Sequence, residues 1–81
     1  MSPTIAAAVA LTDLVDTARG LAEKAQKLRV RMGHERLTAI ARQLDAVRTT
    51  LVQEGDQYIP TAWAYVDTAR NMLAVWTRVL T

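Results

Sequence analysis

The chain has 81 residues, with fourteen Ala, nine Leu and eight Val but no Phe, and a formal net charge of +2. A domain this small buries only about 60% of its unfolded surface, so a lone core is marginal and self-association or a partner is expected. The near-balanced charge lacks the bias of a dedicated nucleic-acid binder, and the absence of cysteine excludes a disulfide framework, thiol chemistry and thiolate metal sites.

The amino-terminal stretch, Met1-Ser2-Pro3-Thr4 followed by an apolar run from Ile5 to Leu11, has no basic leader. It meets Asp13 too soon for a signal peptide or a membrane span, so the expectation is a soluble, cytoplasmic protein. Ser2 or Thr4 can cap a first helix and Pro3 suits its first turn. Asp13 and Asp16 precede Glu23, Lys24, Lys27, Arg29 and Arg31, an order of acid before base that complements the helix dipole. Through this run Ala7, Leu11, Leu14, Ala18, Leu21, Ala25, Leu28 and Met32 recur at alternating spacings of four and three. That is a heptad seam, and it predicts one long helix over residues 4–31 that self-associates through Leu11, Leu14, Leu21 and Leu28. Gly20 lies opposite the seam and weakens the helix without ending it.

Gly33 follows the last basic turn, as a glycine closing a helix does. It is read as the hairpin turn, or else as a kink in one longer helix. A second helix is expected over 34–54, with Leu37, Ile40, Leu44, Val47 and Leu51 as its seam and Ala41 widening the stripe. The short connection predicts an antiparallel hairpin. Gly55-Asp56 and then Pro60 mark the next turn, with the proline pushing Ile59 away from helical geometry. The third helix, 60–80, carries the stripe Ala62, Tyr65, Val66, Ala69, Met72, Leu73, Trp76, Val79 and Leu80. No segment alternates with period two, so no strand is expected. The fold class is all-α: a single helical domain, a three-helix hairpin or bundle with a long heptad-patterned first helix.

Val15-Asp16-Thr17-Ala18-Arg19 and Val66-Asp67-Thr68-Ala69-Arg70 share their five-residue string, and Asp45-Ala46-Val47-Arg48 repeats the Asp-to-Arg spacing. Residues three apart on a helix are neighbours, so each reads as a surface ion pair bordering a seam, with a duplicated binding motif as the alternative.

Catalysis finds little to work with. His34 is the single histidine, Glu35 beside it faces elsewhere on a helix, and Ser2, the single serine, sits at a terminus. No Glu-x-x-His pair is available for a metal, and the isolated glycines Gly20, Gly33 and Gly55 form no phosphate loop. The reading is a non-enzyme without cofactor or metal.

Leu21-Ala22-Glu23-Lys24-Ala25 resembles the first helix of a helix-turn-helix repressor of the phage type, over five residues. In that family a glycine and an apolar residue follow, whereas here Gln26 and Lys27 follow and the seam runs on to Leu28 and Met32. The continuing seam favours an uninterrupted helix. The middle of the chain is nonetheless basic: seven Lys/Arg against two Asp/Glu from Lys24 to Arg48. On one helix Lys24, Lys27 and Arg31 fall within about 60°, and the turn brings Arg36 near. With Arg29 they form a basic patch. A solvated helix end, an acidic protein partner and nucleic-acid phosphates would all account for it.

In the third helix Trp63 and Val75 fall outside the apolar stripe. Trp63 is read either as an anchor for a partner, with Tyr58 and Val75 beside it, or as packing on Tyr58 and the connecting loop. The functional expectation is a non-enzymatic protein–protein interaction module acting through helix packing, such as an adaptor, chaperone-like subunit or inhibitor of phage or bacterial type. The alternative is a nucleic-acid-associated regulator using the basic patch.

Overall fold

Three α-helices and one short 3-10 turn make up the computed structural model, which describes residues 2–81: α1 Pro3–Lys27, α2 Arg31–Glu54, the 3-10 turn Gly55–Tyr58 and α3 Ile59–Val79. The chain is 92% helical and has no strand among the described residues. Ser2 caps α1, its hydroxyl accepting from the Ile5 amide at 3.1 Å, with Pro3 in the first helical position. The longest dimension of the molecule, 40 Å, is set by these helices at about 1.5 Å per residue.

The first turn differs from the expected one. α1 stops at Lys27, four residues before the predicted end, and Leu28 is its C-cap. The Arg29 amide donates to the Gln26 carbonyl at 3.0 Å and the Val30 amide to the Ala25 carbonyl at 2.8 Å, with Arg29 in the left-handed region at φ 59°. These two bonds are a Schellman closure with arginine where glycine is usual. Val30 packs on the cluster that contains Ala25, which supplies the accompanying apolar contact. Gly33 is thus neither turn nor kink. It lies buried in the first turn of α2, where a Cβ would come within 2.9 Å of Trp76 Cζ3, and the position stays open so that the ring of α3 can approach.

The α1–α2 pair is an antiparallel hairpin, and polar bonds record its register. Arg48 Nη1 donates to Thr12 Oγ1 at 3.0 Å, and the Nδ1–H of His34 donates to the Ala22 carbonyl at 2.9 Å. Thr4 Oγ1 donates to Asp56 Oδ1 at 2.7 Å, tying the start of α1 to the 3-10 turn. Between them, α1 presents Ala7, Ala18, Ala22 and Ala25 against Leu37, Leu44 and Leu51 of α2, all buried. Small side chains facing large ones let the two backbones approach closely.

Within α1 the buried stripe is Ala7, Leu11, Val15, Ala18, Ala22 and Ala25. Leu14 and Leu21 are half-buried against the core clusters, and Leu28 and Met32 are exposed. Val15 and Ala22 therefore take the buried places proposed for Leu14 and Leu21, one position further round the helix, and Leu28 and Met32 leave the seam because α1 ends at Lys27. The second seam is as expected, with Ile40 half-buried and the rest buried. Ile59, expected to leave helical geometry, is helical at φ −54° and ψ −48° and opens α3. Pro60 falls in the first turn, where its missing N–H breaks no bond, and Ile59 packs on the core, which outweighs the pre-proline preference. Among the described residues no helix is long and apolar enough to cross a membrane.

Candidate interaction face

Helix α3 carries two stripes. Ala62, Val66, Ala69, Leu73 and, just past the helix, Leu80 are buried in the core, with Trp76 half-buried beside Gly33. Thr61, Ala64, Thr68, Met72, Val75 and Val79 are exposed. Their spacing of three, four, four, three and four residues confines them to an arc of about 80°, centred about 120° around the helix from the buried stripe and on the side toward α2. None is charged. The only charged residues of α3, Asp67, Arg70 and Arg78, lie outside that arc, all on the flank away from α2. By contrast, the outward sides of α1 and α2 carry Asp13, Asp16, Glu23, Lys24 and Lys27, and Arg31, Glu35 and Arg42, all exposed.

Beside the outer stripe, α3 and α2 leave a groove of about 210 Å³, lined by Ile40, Gln43 and Leu44 of α2 and by Thr61, Ala64, Tyr65, Thr68, Ala69 and Met72 of α3. No charged side chain lines it. The groove exists because α3 packs mainly on α1 and touches α2 more sparsely. At its far end Met32, 64% exposed, and Val79, 61% exposed, continue the apolar character where the start of α2 meets the end of α3. A second exposed apolar group, Ile5, Val9 and Val52, lies at the other end of the hairpin. There Asp13 stands one helical turn beyond Val9, so that patch does not extend.

The residues proposed from sequence are distributed as follows. Val75 lies on the outer stripe of α3, half-exposed. Trp63 and Tyr58 are half-buried against the chain's own core, and the Arg70 guanidinium carbon lies 6.0 Å from the centroid of the Trp63 ring. Trp63 sits about 140° around α3 from the middle of the outer stripe. Val75 and the two aromatics therefore do not share one surface. Of the leucines proposed as an oligomer seam, Leu11 is wholly inside, Leu14 and Leu21 are covered in part, and Leu28 is exposed at the turn.

The basic residues do not form a single helical row, because the turn separates Lys24 and Lys27 on α1 from Arg31 and Arg36 on α2, with Arg29 between them. Lys27 pairs with Glu23 at 4.0 Å and Arg31 with Glu35 at 3.4 Å, both pairs exposed. Lys24, Arg29 and Arg36 are exposed and have no carboxylate partner among the described residues. Of the three Asp-x-x-Arg strings, Asp45 bonds Arg48 and Asp67 approaches Arg70 at 3.9 Å, whereas Asp16 and Arg19 are not paired. Among the described residues no three His, Asp or Glu side chains converge.

Thr61, Ala64, Thr68, Met72 and Val79 are the members of the face that hydropathy did not single out. Met72 and Val79 were assigned to the inner stripe, because on α3 the two stripes adjoin and both are apolar or small. The signal that separates them is the position of the three charges, all on one flank. Comparison with protein families, curated proteins and solved structures returns no match to this chain.

Proposed function

We propose that this chain is a non-enzymatic interaction module that works by helix packing, with the outer stripe of α3 and the groove toward α2 as its docking surface. The observation that carries this reading is the uncharged arc Thr61-Ala64-Thr68-Met72-Val75-Val79, exposed along the whole of a helix whose other face already closes the core. The strip is uncharged throughout and apolar over Met72, Val75 and Val79, the character of a surface that another helix buries. The strip keeps the heptad-like spacing expected of self-associating helices, but places it on α3 instead of α1. The absence of cysteine suits a reducing compartment such as the cytoplasm.

The test is site-specific photocrosslinking. With a benzophenone side chain at Val75, the full chain in cell extract gives discrete adducts, and the same group at Thr49 on the outward side of α2 gives none. Adducts of equal yield from both positions, or from neither, overturn the assignment of this face.

A further inference from the structure

We propose that the occupant of the α3 face is a second copy of this chain, its α3 running antiparallel to the first. This rests on the docking surface just described and names its partner. The outer stripe is divided by size: Thr61, Ala64 and Thr68 in the first half, Met72, Val75 and Val79 in the second. Laid against itself in reverse, with the two-fold axis near residue 70, the stripe sets Thr61 opposite Val79, Ala64 opposite Val75 and Thr68 opposite Met72. Ala64 with Val75 and Thr68 with Met72 then set a smaller side chain against a larger one, Thr61 with Val79 sets two β-branched side chains of similar size together, and the pairing repeats itself on the other side of the axis, as a two-fold interface requires. A parallel arrangement would instead stack Met72 on Met72 and leave Ala64 facing Ala64, with crowding at one end and a gap at the other.

Three further features fit a second copy. The groove of about 210 Å³ beside Thr68 and Met72 lies next to the axis, where the partner's Met72 would enter it. Antiparallel helices also oppose their dipoles. Because the stripe has no charge, a copy meets no like charge across the axis, and Asp67, Arg70 and Arg78 stay on the solvated flank. A strip from Thr61 to Val79 is about 27 Å long. With the α2 edge of the groove it covers about 500 Å² per copy, close to the lower bound for a specific interface. An interface of that size belongs with weak, transient contacts, so the dimer is one that dissociates on dilution.

The experiment uses the natural lack of cysteine. Ala64→Cys and Val75→Cys are made separately in the full chain, both at exposed positions, and treated with a short bis-maleimide alone and as an equimolar mixture. Antiparallel pairing about residue 70 holds Cys pairs of one kind about 15 Å or more apart along the axis and brings unlike pairs together. The mixture therefore gives at least fivefold more covalent dimer than either variant alone. A single variant that crosslinks as well alone as in the mixture, or no covalent dimer from any sample at millimolar concentration, overturns the proposal. If self-crosslinks are absent while Val75 photoadducts with other proteins persist, the docking face stands and only its pairing with a second copy falls.

Discussion

The α1–α2 hairpin and α3 solve the burial problem of a small domain in different ways. In the hairpin each helix has one apolar face and one charged face, and the apolar faces meet along their lengths, Ala against Leu, with Arg48–Thr12 and His34–Ala22 fixing the register. Helix α3 has an apolar inner face and an uncharged outer one, lies mainly on α1, and leaves a groove toward α2. The difference lies in what flanks the exposed apolar side chains: on the hairpin Ile5, Val9 and Val52 and, at the turn, Leu28 and Met32 sit among charged residues, whereas Met72, Val75 and Val79 of α3 lie on one uncharged arc.

The most disruptive test of this division is made where the two regions meet. Gly33→Ala places a methyl group 2.9 Å from Trp76 Cζ3, and overpacking of this kind costs about 1 to 3 kcal/mol despite the better helix propensity of alanine. A lower thermal midpoint is expected, with part of the loss recovered in a Trp76→Leu background where the ring is gone. An unchanged or raised midpoint would mean that Gly33 serves only the local helix and that α3 is not seated there.

The next effect is smaller and opposite in sign. Arg29 holds a left-handed backbone, φ 59°, which costs an L-residue about 1 kcal/mol relative to glycine. Arg29→Gly therefore stabilises the hairpin by about that amount, measured by denaturant unfolding, and leaves association unchanged. A loss of stability would place the turn elsewhere.

These two residues also show how much was legible in the sequence. The all-helical class, the number of helices and the seam of α2 follow from periodicity. The turn did not, because glycine and a basic last turn are general end signals, and the chain used Arg29 for the left-handed position while keeping Gly33 for contact with Trp76, a residue more than forty positions away. Nothing local encodes that approach. For the same reason Leu28 and Met32 continued the seam on paper: a heptad pattern survives a break whose length happens to keep the phase. Trp63 stood out as an aromatic residue off the stripe, yet its flank is half-covered by the core. The outer face of α3 drew attention only through Val75, since Thr, Ala and Val look neutral until the placement of Asp67, Arg70 and Arg78 shows which side has no charge.

The most direct measurement is sedimentation equilibrium of the wild type and of Met72→Glu/Val75→Glu from low micromolar to millimolar concentration, alongside circular dichroism. Both substituted side chains are exposed in the single chain, 38% and 49%, so each substitution should cost stability at high dilution no more than about 1 kcal/mol and helicity should stay the same. The account predicts that the wild type passes reversibly from monomer to dimer while the double variant remains a monomer throughout. A wild type that stays monomeric to millimolar concentration, or a folded double variant that dimerises equally well, would contradict it.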